Sequence, residues 1–125
     1  MDKRIPKITD GEFKVLEVLW EKTPAAAADV VAEMKERAEW NRNTTYTFLK
    51  RLVEKKVVRR DEPGFVCIPL YTRDEIRVSE TRSFLNRICE GSLPMLVNSF
   101  INTKAVSEEE IAALKTLIEN SGPKE

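Results

Sequence analysis

A helical stripe that runs straight into a basic hairpin constrains this chain more than any other feature. Asn41 is a good N-cap, and Thr45, Phe48, Leu49, Leu52 and Val53 recur at the i, i+3, i+4, i+7, i+8 spacing of one helix face. That stripe is predicted to face a core. The opposite face then presents Arg42, Asn43, Thr44, Tyr46, Thr47, Lys50 and Arg51. Short hydrogen-bonding groups lie near the start and cations further along, a mixture that suits base edges in a groove flanked by phosphates. Asn43, Thr44, Tyr46 and Thr47 are the candidate base readers, and Arg42, Lys50 and Arg51 the candidate phosphate contacts. After the helix come the β-branched run from Val57, a turn at Asp61-Glu62-Pro63-Gly64, and a second extended run from Phe65 to Tyr71, which together predict a β-hairpin. Arg59 and Arg60 precede the turn, where one can reach a phosphate beside the groove or both can remain an ordinary solvated pair.

The local charge sharpens this reading. From Asn41 to Arg60 there are seven Lys/Arg and one acid, a net +6 inside a chain whose total is zero. A positive segment confined to one element of a neutral chain is the footprint expected of a nucleic-acid site, although a solvated helix face is the ordinary fate of a basic run.

The flanking sequence supplies the scaffold for such a helix. Thr9-Asp10-Gly11-Glu12 is a capping box, followed by an apolar face of Phe13, Leu16, Val18, Leu19 and Trp20 that ends at Thr23-Pro24. Trp20 falls on that stripe and is predicted to belong to the core. Ala25 to Ala38 is alanine-rich and predicts a second helix with Val30, Val31 and Met34 inward, closed by Trp40. Three helices, the third basic and followed by a hairpin, match a winged helix-turn-helix. In the hairpin, Phe65, Cys67 and Pro69 alternate with Val66, Ile68 and Leu70, so both faces are apolar, and Pro69 belongs at an edge or strand end.

Beyond Tyr71 three helical segments follow. Asp74 to Glu90 carries Ile76, Val78, Phe84, Leu85 and Ile88 and stops at Gly91. Ser92-Leu93-Pro94 opens a second with Met95, Leu96, Val97, Phe100 and Ile101, and the capping box Ser107-Glu108-Glu109-Glu110 opens a third with Ile111, Leu114, Leu117 and Ile118. Three short helices cannot bury faces this large alone. Pairing with a second copy solves the problem, and folding back onto the winged helix is the alternative. The expected fold is therefore mainly α with a small β-hairpin: a winged-helix DNA-binding domain over residues 1–73 and a three-helix dimerisation region over residues 74–125.

Composition excludes other classes. No apolar run approaches the ~20 residues of a membrane span and the N-terminus lacks a signal-peptide core, so a cytoplasmic chain is expected. With no histidine, and with Cys67 and Cys89 far apart, no metal or other cofactor is expected, and the commonest general base is missing. An enzyme is not expected. A winged-helix module that binds protein rather than DNA stays open.

The chain also resembles the penicillinase and methicillin-resistance repressors of the BlaI/MecI type. The residues that carry the likeness are Thr9 to Phe13, Val15, Leu19-Trp20, Trp40, Thr44, Thr47, Arg51-Leu52, Lys55-Lys56, Ser83 to Arg87, Glu90-Gly91, Leu96-Val97, Phe100, Ser107 and Glu110-Ile111. The resemblance implies a cytoplasmic homodimer that binds palindromic operator DNA and represses transcription, with Asn43 to Lys50 in the major groove. It also implies relief of repression by cleavage in the dimerisation region at an Asn-Phe bond, under the control of a membrane sensor protease. Here Ser99 precedes Phe100 and Asn98 lies one place earlier, so the corresponding region is Asn98, Ser99, Phe100 and Ile101. A regulator of an unrelated regulon that answers to a ligand is the alternative.

Overall fold

The computed structural model describes residues 4–122. In order the elements are α1 (Asp10–Glu21), β1 (Ala25–Ala26), α2 (Ala27–Ala38), α3 (Arg42–Glu54), β2 (Val58–Asp61), β3 (Val66–Pro69), α4 (Arg73–Ile88), α5 (Leu93–Asn102) and α6 (Glu108–Ser121). The chain is mainly α with a small antiparallel sheet, as its sequence predicts. Two compact units divide it, one extending to Thr81 and the other starting at Arg82.

The first unit is built around the three helices. Thr9 caps α1: its hydroxyl accepts from the Glu12 amide at 3.3 Å, and the Glu12 carboxylate accepts the Thr9 amide at 2.9 Å. Val15, Leu16, Val18 and Leu19 are then fully buried against Val30 and Met34 of α2 and Leu49 and Leu52 of α3. Each such leucine contributes about 1.5–3 kcal/mol by leaving water. Trp20 is half-buried on this core, edge-on to Phe13, with its indole N–H donating to the Tyr71 carbonyl at 2.9 Å. Ile76 of α4 is buried in the same core, and the Glu80 carboxylate accepts the Ile8 amide at 2.9 Å.

Several sequence expectations are corrected here. Ala25 and Ala26 are not helical; they form β1 and pair with Cys67 and Val66, so the sheet is three-stranded in the order β1-β3-β2. Local alanine propensity loses to the backbone partners that β3 offers. Val31 is only half-buried, because α2 turns Val30 and Met34 inward and leaves Val31 on its flank. Trp40 lies outside α2, which ends at Ala38 and is capped by Glu39 in a left-handed conformation, φ 58°. In the hairpin the ambiguity is resolved: Phe65 and Cys67 face the core, Val66, Ile68 and Pro69 are half-covered, and Pro69 ends β3 opposite Val58. Burial pushes the Cys67 thiol up to about 11, the behaviour of a structural cysteine.

Two contacts fix α3 against α1. Gly11 faces the Phe48 ring so closely that a Cβ there would lie 2.4 Å from Cζ. The other side of that ring stacks on Trp40, with centroids 4.9 Å apart. At the far end of α3, Lys55 Nζ donates to Glu12 Oε1 at 2.7 Å and to the Lys7 carbonyl at 2.8 Å. Burial alone would raise the Glu12 pKa, but the hydrogen bonds and charge of Lys55 and the Thr9 amide outweigh it and hold the carboxyl below its ordinary value.

The second unit comprises the end of α4 with α5 and α6. Ser92 and Ser107 cap the latter two, and the capping box at Ser107 and Glu110 is complete. Leu85 and Cys89 are buried, whereas Phe84, Ile88, Leu93, Met95, Phe100, Ile101, Leu114, Leu117 and Ile118 are exposed.

Adding a methyl at Gly11 sets overpacking of about 1–3 kcal/mol against a helix-propensity gain of about 1 kcal/mol. Gly11→Ala is expected to destabilise by about 1 kcal/mol in urea unfolding, yet to stabilise a Phe48→Ala background, where the ring is gone. Destabilisation in both backgrounds would overturn the steric account. Glu12→Gln is expected to cost about 1–3 kcal/mol at neutral pH, because it leaves Lys55 without its anion. The Glu12 pKa is depressed on folding, so this contribution is complete above the unfolded value of about 4.3 and is lost as pH falls through the folded value. The stability gap between wild type and variant should therefore close below about pH 4, and a gap that persists there argues against the ion pair.

Candidate nucleic-acid interface

The elements above present α3 in one rotational setting. Asn41 caps it, with Oδ1 accepting the Thr44 amide at 2.8 Å, and Thr45, Leu49 and Leu52 are buried. At 100° per residue, Asn43, Thr47, Lys50 and Glu54 lie opposite that stripe, and all four are exposed. Arg42 and Arg51 are exposed on the two flanks. Phe48 and Val53, expected on the core-facing stripe, are half-buried at its margins.

The candidate readers differ in what they can offer. Asn43 is exposed, and its amide can donate and accept, the pattern that matches an adenine edge. The Thr47 hydroxyl donates to the Asn43 carbonyl at 2.9 Å, which leaves its methyl and an oxygen lone pair for a partner. Thr44 is half-buried. Tyr46 was expected beside these residues, but its ring is half-buried and meets Phe65 edge-on, with centroids 5.7 Å apart. The hairpin covers that flank of α3, so the Tyr46 ring serves packing and carries Arg42, whose guanidinium lies 4.9 Å from the ring centre. Arg51 stands similarly over Phe48 at 5.4 Å. Lys50 makes no ion pair among the described residues.

The electrostatics are less one-sided than a count ending at Arg60 suggests, because Asp61 and Glu62 follow at once. Arg59 pairs with Asp61 at 3.0 Å and Arg60 pairs with Glu62, while Lys55 is spent on Glu12. Arg42, Lys50, Arg51 and Lys56 remain without acidic partners among the described residues, so the uncompensated charge belongs to α3 and its end rather than to the hairpin. Beside the start of α3 an open groove of about 550 Å³ is lined by Val31, Lys35, Glu39, Trp40, Asn41 and Arg42. Sequence reasoning missed Lys35 in this setting; the left-handed Glu39 that folds the chain between α2 and α3 has no sequence signature, since that conformation usually goes to glycine or asparagine.

Asn98, Ser99, Phe100 and Ile101 are all exposed and lie inside α5, with the Ser99 carbonyl accepting from the Thr103 hydroxyl at 2.9 Å. No helix among the described residues is long and apolar enough to cross a membrane.

A family profile described as penicillinase repressor matches residues 8–120. The penicillinase repressor of Bacillus licheniformis is 31% identical over 119 residues, covering 94% of this chain and 93% of the relative. The methicillin resistance regulatory protein MecI of Staphylococcus aureus strain N315 is 25% identical over 120 residues, covering 94% and 98%. Among solved structures, the DNA-binding domain of the repressor BlaI superposes with a TM-score of 0.53 at 30% identity over 60% of this chain and 93% of that one. The monomeric form of Bacillus licheniformis BlaI in complex with the blaP half-operator gives 0.52, with the same identity and coverage.

Proposed function

The chain belongs to the penicillinase repressor family, and we propose that this DNA-binding repressor grips a palindromic operator as a homodimer, each copy laying α3 in the major groove. The observation that carries the reading is the exposed face of α3, where Asn43, Thr47 and Lys50 stand opposite the buried Thr45, Leu49 and Leu52. That BlaI was solved on a half-operator supports placing DNA on the matching unit. Asn43 and Thr47 read base edges, with Thr44 at their margin. Lys50, Arg51 and Arg42 hold phosphates, and Arg59 and Arg60 lie within reach of the backbone once released from their carboxylates.

Thr47→Ala is expected to cost about 1–3 kcal/mol on the DNA upstream of the protein's own gene and little on random duplex. Lys50→Ala is expected to weaken both and to reduce the salt slope by about one unit. Equal losses from Thr47→Ala on both duplexes would remove it as a reader. Protein whose DNA affinity is low at every salt concentration would instead favour a protein-binding module.

The dimer interface is proposed to lie within residues 74–120, chiefly on α5 and α6, which contain no buried residue and expose a large share of their apolar side chains. Two half-sites about one helical turn apart are held together only while that interface holds, so its loss lowers apparent affinity by on the order of 100-fold. Relief of repression is proposed to follow cleavage between Asn98 and Ile101, with a membrane sensor protease as the agent that the family resemblance suggests. Because those residues sit within α5, a protease can reach an extended backbone only after that helix unwinds. Ile76 belongs to the first core, so the test is truncation after Thr81, where the first compact unit ends. The truncated chain is expected to stay folded, sediment as a monomer and bind operator weakly; a dimer would place the interface elsewhere. Mass spectrometry finding only intact chain in fully derepressed cells would rule out cleavage.

A further inference from the structure

The hairpin carries its cations and the anions that neutralise them side by side. Arg59 meets Asp61 through two bonds, Nε to Oδ1 at 3.0 Å and Nη2 to Oδ2 at 3.2 Å, which occupies the fork that a phosphate would use. Arg60 Nε donates to Glu62 Oε2, and its guanidinium lies 3.7 Å from the centre of the Phe65 ring. The other Glu62 oxygen accepts the Phe65 amide at 3.3 Å, so this carboxylate is anchored to the turn. The four side chains are between 41% and 56% exposed, so each pair is weak and can exchange with a better-placed anion.

We propose that Asp61 and Glu62 are specificity determinants of DNA binding: as internal decoys they occupy Arg59 and Arg60 until a phosphate fixed in register displaces them. The inference rests on the DNA-binding reading above. On a loosely docked, non-specific duplex no phosphate is held in register with the hairpin, the decoys win, and only the cations of α3 and its end release counterions. In a seated complex the phosphate meets a guanidinium that is already about half exposed, and the freed carboxylates are accommodated by water because they are exposed too. The hairpin therefore adds affinity only where α3 has fixed the geometry. Simple through-space repulsion by two acids is the rival explanation, and it differs in one respect: its effects add to those of the arginines rather than depending on them.

A double-mutant cycle on random-sequence duplex DNA separates the two, using the full chain with affinity measured across a salt series. Asp61→Asn with Glu62→Gln is expected to raise affinity for random duplex about tenfold and to steepen the salt slope by up to about two units, one for each released arginine. Arg59→Gln with Arg60→Gln is expected to weaken binding of the native chain to the DNA upstream of its own gene about tenfold while changing random-duplex affinity by less than about twofold, and to cancel the whole random-duplex gain in the chain lacking both acids. Equal small effects on both duplexes would show that no phosphate displaces the acids. Asp61→Asn alone, whose carboxylate bonds only Arg59 among the described residues, is expected to give about half of the effect with the turn intact. Equal losses on removing the arginines in both backgrounds overturn the decoy, since phosphates would then have had access to them throughout. Wild-type protein with no salt-sensitive DNA binding overturns the DNA-binding reading itself, and the decoy with it.

Discussion

A carboxylate stripped of water must find donors or lose its charge, and the donors that Glu12 finds determine how α3 is held. One of its oxygens takes the Thr9 amide that starts α1 and the Lys55 ammonium just beyond the end of α3, over a separation of 43 residues. The same acid thus caps one helix and anchors another. Phe48, pressed onto Gly11 and stacked on Trp40, supplies a second point of registry in the middle of α3. A helix fixed at two points along its length cannot roll about its axis. Rolling α3 by one residue would bury Lys50 or expose Leu49, so the composition of its outer face is a consequence of these inner contacts.

Much of this was legible in the sequence wherever the chemistry is local. The caps at Thr9, Asn41 and Ser107 depend on side chains reaching amides three residues away, and all three are present in the fold. The buried stripe of α3 follows from periodicity alone. The strand β1 was not legible, because two alanines are extended only through their pairing with Cys67 and Val66. Tyr46 shares the limitation: on an isolated helix it points outward beside Arg42, and only the arrival of Phe65 from the hairpin covers it. The strength of the basic patch depended on where the count stopped, since the two acids that answer Arg59 and Arg60 are the next two residues.

The two units solve their burial problems differently. In the first, helices converge on a shared core to which all the fully buried leucines belong. In the second, α5 and α6 have 10 and 14 residues, good caps and no buried side chain of their own. Isolated helices of that length are marginal in water. Capping supplies about 1 kcal/mol for each helix start, much less than a packed face provides. The stability of α5 and α6 therefore depends on covering their apolar sides, and without such cover their local opening is easy.

The internal hydrogen bond of Thr47 has a consequence for the kind of DNA chemistry α3 can sense. With its hydroxyl proton committed to the Asn43 carbonyl, Thr47 presents a methyl group and an oxygen that can accept but not donate, and in a major groove the group that answers a methyl is the C5 substituent of thymine. On the DNA-binding reading proposed above, a threonine held in this way separates pyrimidines by the C5 methyl group, present in thymine and 5-methylcytosine and absent from uracil and cytosine.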